Sequence, residues 1–160
     1  MIVVGYQGIG KSTLAGRNNK FIDLESGNFW IDGKRADDWY KPYCKIAEHL
    51  SQQGYIVFTS SHEVVRKQLA HSNEVVVVVY PSVELKDAWI NKLKDRFFRT
   101  NLEKDHKALM NSEDKYDENI KELQKYCNDH HAYSLALTKM DYDLEAALIH
   151  LQNEINGLLR

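Results

Sequence analysis

The sequence has little of what ties a chain covalently or interrupts it. Its 160 residues include two cysteines, Cys44 and Cys127, and two prolines, Pro42 and Pro81. Two thiols so far apart fit neither a disulfide framework nor a metal-ligand spacing, and they read as buried thiols of a reducing compartment. No charged segment followed by an apolar run opens the chain, so no signal peptide is expected. The longest aliphatic run, "VVVVVY" from Val75 to Tyr80, is far too short to span a bilayer. A cytoplasmic protein that engages no membrane is the expectation. Charge of one sign is also lacking: 21 basic against 23 acidic residues leave a net charge of -2, without the basic excess of a nucleic-acid footprint. Repeats, low-complexity tracts and Pro/Gly-rich linkers are absent, so residues 1–160 read as one domain.

What is present alternates. Short apolar runs are separated by longer amphipathic stretches, the pattern of an α/β domain. "MIVVG" predicts a first strand, followed by a helix from about Gly10 to Gly16–Asn19. "KFIDLE" predicts a second strand and "DDWYKPYCKIAEHLSQQG" a helix closed by Gly54. "YIVFTSS" predicts a third strand, after which Ser60 and Glu63 have the spacing of a capping box. "EVVVVVY" predicts a fourth strand, apolar throughout and so covered on both faces. Ser82 then stands where it would cap a helix with Leu85, Trp89, Leu93 and Phe97 on one stripe. Residues 100–116 are polar, and helical spacing resumes at Ile120, Leu123 and Cys127. "AYSLAL" predicts a fifth strand. A last helix begins near Asp141 or Asp143 and buries Leu144, Ala147, Leu148, Leu151, Ile155 and Leu158. The sum is a mostly parallel five-stranded sheet with helices on both faces.

The chemistry is announced by "GYQGIGKST", Gly5 to Thr13. Gly5, four residues, then Gly10-Lys11-Ser12 match the phosphate-binding loop pattern in full, between a strand and a helix as the motif requires. The glycines at 5, 8 and 10 allow backbone angles and a close approach that side chains would block. The N–H groups of the loop, including those of Ile9 and Thr13, then converge as an anion nest, reinforced by the helix start behind them. Lys11 reaches the β- and γ-phosphates, and the Ser12 hydroxyl is placed to ligate Mg²⁺. A plain glycine-rich turn joining strand to helix is the alternative, and the eight-residue match weighs against it.

On these residues the chain resembles the small P-loop kinases: nucleoside monophosphate kinases, shikimate kinase and gluconate kinase. "FIDLES" falls where several of them carry Asp-x-Asp at the end of the second strand. "VFTSSHEVVRKQL" is similar to the third strand and helix of gluconate kinases. "VVVVVYPSVELKDAWINKLKDRF" is similar to the segment leading to the kinase lid, and "YSLALTKMDYDLEAALIHL" to the strand and helix closing the adenine end. The resemblance implies a P-loop NTPase three-layer fold, ATP as phosphoryl donor, Mg²⁺, and a small-molecule acceptor. The third strand ends in Thr59, Ser60 and Ser61 where many nucleoside monophosphate kinases place an aspartate.

Further candidates follow from position. Asp23 and Glu25 alternate with apolar neighbours, so both project from one face at a strand's carboxyl end, beside the usual ligand crevice. Asp23 would orient metal-bound water or take the acceptor's proton, and Glu25 would bind the acceptor. The alternative is that Asp23 or Ser26 simply satisfies the backbone of a loop. Arg66 could grip an acceptor anion or lie on the surface. Arg96 and Arg99, with Lys92, occupy adjacent helical faces and would neutralise the transferring phosphoryl group from a lid at about 96–116, unless they form a solvated basic face. Trp30, Trp39, Tyr40 and Tyr43 cluster where an acceptor nucleobase could stack, with Tyr43 read as core. The leading expectation is an ATP- and Mg²⁺-dependent kinase acting on a nucleotide or nucleoside, with a sugar acid second. A nucleotide-binding switch or partner protein with little turnover is the rival.

Overall fold

Four residues of unbroken apolar character, Ile2–Gly5, form strand β1 at the centre of the sheet, every one of them buried. The computed structural model describes residues 1–159. The elements that follow are α1 (Lys11–Arg17), β2 (Phe21–Asp23), α2 (Tyr40–Gln52), β3 (Ile56–Thr59), α3 (Glu63–Leu69), β4 (Val76–Pro81), α4 (Lys86–Thr100), α5 (Glu103–His130), β5 (Tyr133–Leu137) and α6 (Leu144–Leu158). The strands lie in the order β2-β3-β1-β4-β5. Every pairing is parallel, so the sheet is entirely rather than mostly so.

Parallel strands need crossovers, and right-handed crossovers sort the helices onto two faces. One face carries α1 and α6, joined where Arg17 and Asn18 reach Glu145 at 3.2 and 2.6 Å. The other is covered by α2 and α5, which pack on β3, β1, β4 and β5, with α3 against α2. The result is the three-layer α/β architecture of P-loop NTPases. β4, covered on both faces, buries all six residues, as its uninterrupted apolar run requires. Among the described residues no helix is long and apolar enough to cross a membrane. Cys44 and Cys127 are free and buried.

Several local expectations need correction. Ser60 does not cap α3: the capping position falls on His62, no side chain closes the helix, and Ser60 Oγ instead shares a 2.7 Å hydrogen bond with His62 Nδ1. Ser82 precedes a 3-10 turn, Val83–Leu85, and α4 begins only after it. β2 stops at Asp23, leaving Glu25 beyond the strand, before a 3-10 turn at Ser26–Phe29. Leu158, expected in the core, is exposed, and Ala147 and Leu151 are only half-buried.

The largest correction concerns residues 100–116. They do not form a loop: after a left-handed Asn101 (φ 52°), α5 runs 28 residues with one break in helical geometry at Lys115 (φ -133°, ψ 23°). Its buried residues include Asp105, Leu109, Ser112, Tyr116, Ile120, Leu123 and Cys127, a stripe at helical spacing. Asp105 and Ser112 sit where apolar residues would have signalled the helix, and so hide its first half.

The start of α6 is set by Asp143, whose side chain accepts a 3.0 Å hydrogen bond from the Ala146 N–H. Asp143→Ala should lower unfolding free energy by about 1 kcal/mol, the usual worth of such a cap. Urea unfolding checks this, and an unchanged midpoint would show that the cap contributes nothing.

Candidate functional site

β1 delivers the phosphate loop to the carboxyl edge of the sheet, between β3 and β4. Gly8 (φ 88°) and Gly10 (φ 103°) both hold left-handed backbone there. At Gly8 space is short as well: a Cβ would stand 2.8 Å from Leu93 Cδ2 and 3.2 Å from Trp89 Nε1. Two of the loop carbonyls are tied outward. Trp89 Nε1 donates to Gln7 O at 2.9 Å, and Tyr142 Oη donates to Ile9 O at 2.8 Å while accepting from Lys92 Nζ at 2.7 Å. Pinning the carbonyls from behind fixes the loop so that its N–H groups serve an anion. The Ile9 side chain is a core residue, and its N–H lies 3.4 Å from Tyr6 O. Ser12 and Thr13 lie exposed in the first turn of α1.

Lys11 Nζ donates to Gly5 O at 3.0 Å, across the mouth of its own loop. Burial pushes its pKa down, against the pull of Asp23 and Glu25, and Arg96 adds to the lowering. Asp23 is pushed up by burial, against Lys11, and further by the nearby Glu25 carboxylate. The two carboxylates therefore adjoin, as their alternation predicts, and both face the lysine of the loop. Lys104 Nζ stands 3.8 Å from Glu25 Oε1.

The end of β3 forms the next wall. Thr59 pairs in register with Val4 of β1, is fully buried, and its Oγ1 has no hydrogen-bond partner. Tyr43, in the core as expected, donates to Leu24 O at 2.6 Å and accepts from the Ser60 N–H at 2.9 Å, clamping the ends of β2 and β3 together. Arg66, from α3, is buried. Its Nε donates to Ser61 O at 3.0 Å, one Nη lies 3.4 Å from Glu122, and the guanidinium covers the Tyr126 ring.

These walls enclose a cleft of about 950 Å³ lined by Gly5, Lys11, Glu25, Arg35, Arg66 and Lys104, among others. The lid arginines take different places. Arg96 Nε is held 2.9 Å from Asp105, a carboxylate 4% exposed, and so braces the corner between α4 and α5. Arg99 is exposed in the last turn of α4, outside the cleft lining. The cations that α5 turns toward the cleft are Lys104 and Lys107, which sequence reasoning missed because that stretch did not read as helix. Also missed was Gln7: its Nε2 donates to Ala108 O at 2.9 Å and Ser112 Oγ at 2.6 Å, tying the phosphate loop to α5.

Arg35 was missed as well, although a signal existed. Asp32 and Gly33, both with positive φ, form a two-residue turn closed by Ile31 N–H to Lys34 O at 2.8 Å and its reciprocal at 3.2 Å. Asp-Gly is the sequence mark of such a hairpin. Trp30 and Arg35 are its next cross-strand neighbours, and the guanidinium carbon lies 5.1 Å from the Trp30 ring centre and 4.3 Å from that of Trp39. His62 packs its edge on Trp39, and its pKa is pushed down by burial, then by Arg35 and Lys11.

No protein-family model matches the chain. A segment is 30% identical, over 100 residues, to an ATP-dependent lipid A-core flippase of Aliivibrio fischeri, covering 59% of this chain and 17% of that protein's length. The structure superposes on an uncharacterized protein of Eubacterium ventriosum with a TM-score of 0.47 and 13% identity, over 98% of this chain and 97% of that one.

Proposed function

We propose that the protein binds ATP on its phosphate loop and transfers the γ-phosphoryl group to a small molecule held in the adjoining cleft. The observation that carries this reading is the shared wall: Gly5 and Lys11 of the loop and Glu25 beyond β2 line one cavity. A phosphate cradle that opens directly on a cavity of this size suits a second substrate. The name of the flippase relative supports ATP as the nucleotide.

Mg²⁺ fits the donor set. Ser12, Asp23 and the orphaned Thr59 hydroxyl supply hard oxygen ligands or partners for metal-bound water, and Mg²⁺ beside phosphates needs only one or two protein carboxylates. Among the described residues no group of three or more His, Cys, Asp or Glu side chains could hold a metal. When bound, the ion would neutralise charge on the β- and γ-phosphates. In this reading Lys11 leaves Gly5 O for the phosphates. Asp23 takes the acceptor's hydroxyl proton as the new O–P bond forms and the bond to the departing diphosphate breaks. Lys104 and Lys107 counter charge from the α5 side, with Arg96 behind them.

A nucleotide-binding switch is the second reading, favoured by the end of β3, where Thr59-Ser60-Ser61 supplies no carboxylate. ADP release from ATP–Mg²⁺ separates the two when measured alone and with nucleoside monophosphates, nucleosides and sugar acids. We expect one acceptor class to raise turnover to the order of 1–100 per second, as in other kinases. Tight ATP binding with no acceptor response would exclude the kinase.

A further inference from the structure

We propose that Lys92 is a positioning residue of the phosphate loop: through the Tyr142 hydroxyl it aims the Gly10 N–H at the phosphates, without contacting the ligand itself. The inference rests on nucleotide binding at that loop, not on phosphoryl transfer. The spacing of Lys92 with Arg96 and Arg99 predicts a lid cation. The structure instead joins Lys92 to the rear of the loop, outside the cleft lining.

The first ground is direction. An ammonium carries three donors and no acceptor. Lys92 Nζ donates to Tyr142 Oη at 2.7 Å, its one protein hydrogen bond among the described residues. With a lone pair so engaged, the Tyr142 hydroxyl turns its own proton to Ile9 O at 2.8 Å. In a trans peptide the C=O and N–H of one unit point in opposite directions, and no described peptide is cis. Holding Ile9 O from behind therefore turns the Gly10 N–H to the other side, into the nest. Trp89, three residues earlier on the same face of α4, does this for the Gly8 N–H by holding Gln7 O at 2.9 Å. Among the described residues neither N–H has a protein partner, as a cradle built for an anion requires.

The second ground is the placement of the charge. Lys92 Nζ lies 4.4 Å from the Trp89 ring centre and 4.9 Å from that of Tyr142. The two rings stack with centres 6.0 Å apart and planes 20° apart. Among the described residues the ammonium is answered by these aromatic rings and one hydroxyl, not by a carboxylate. Burial, and then Arg96, lowers its pKa, so a cation is held here at a cost. An apolar side chain of the same length would pack beside the rings without that cost. What the ammonium adds is a fixed direction for the Tyr142 hydroxyl, and through it a fixed peptide in the loop.

The test is a double-mutant cycle on the full chain, with Mg²⁺–ATP and inorganic tripolyphosphate as probes and calorimetry as the readout. Lys92→Met keeps the stem and removes the ammonium; Tyr142→Phe removes one oxygen and keeps the ring. Each alone should weaken both probes about 5- to 20-fold, the worth of one charge-assisted hydrogen bond. The double variant should bind no more weakly than the worse single one, because the two residues act in series. A thermal melt of Lys92→Met should show no loss of stability, since a buried charge is relieved, which separates aim from folding. Wild-type affinity in Lys92→Met would overturn the assignment. So would losses that multiply in the double variant, which would make Lys92 a plain electrostatic contributor. Should Lys92→Met fail to fold, Tyr142→Phe decides alone: unchanged affinity there breaks the relay. A wild-type chain that binds neither probe would overturn the reading of the loop and this inference with it. Lys92-dependent ATP binding without acceptor-dependent ADP formation would uphold the inference while sinking the kinase.

Discussion

Replacing Lys11 with alanine is expected to lower acceptor-dependent ADP formation by about 10²–10³-fold or more, while the protein stays folded. The ammonium is held at the loop by Gly5 O, below its ordinary pKa because burial has stripped it of water. It is a charge kept at some cost, offset in part by Asp23 and Glu25, at a place where phosphates would reward it. Removing it relieves desolvation and leaves the loop's backbone anchors intact, since Trp89 and Tyr142 hold carbonyls that Lys11 does not touch. Steady-state assays and a thermal melt read the two halves together. A variant with full activity would remove the phosphate loop from the mechanism, whereas one that unfolds would show that Lys11 is structural.

Trp89→Ala should destabilise the fold by about 3–5 kcal/mol, the range for deleting a fully buried large aromatic side chain. It should also weaken ATP binding, because the indole both fills the space behind Gly8 and holds the Gln7 carbonyl. Trp89→Phe separates these effects: it restores most of the volume but not the N–H, so stability should largely return while a loss of ATP affinity remains. Urea unfolding and nucleotide titration of the same samples check both. If the Phe variant binds ATP as the wild type does, the Gln7 hydrogen bond does not shape the loop.

The sheet and the phosphate loop were legible because each is written locally. A run such as that of β4 can only be buried, and eight residues suffice to specify the loop. Asp23 and Glu25 were legible for a related reason: alternation along an extended segment puts them together without knowledge of the rest of the fold. The opposite wall was not. The first half of α5 buries Asp105 against Arg96 and Ser112 against Tyr6 and Gln7, so polar residues occupy positions where periodicity is read from apolar ones. Lys104 and Lys107 vanished with that helix. Arg96 could be placed near the right corner but not assigned its partner, because an ion pair between two helices has no local signature. Ser60 was misread through a spacing that fits a capping box while the chain enters α3 two residues later, at His62.

Helix α5 has a mechanical consequence. Its upper section, from Glu103 to the break at Lys115, is a rigid rod of about 18 Å at 1.5 Å per residue. A rotation of about 10° at Lys115 would carry the far tip through roughly 3 Å, the difference between a made and a broken hydrogen bond. Lys104 rides near that tip, Ala108 near the middle of the rod and Ser112 close to the pivot, and the last two hold Gln7. Because Asp105, near the tip, is tied to Arg96, a rotation at Lys115 would have to carry the corner of α4 with it, so the entrance of the cleft and the phosphate loop share one brace.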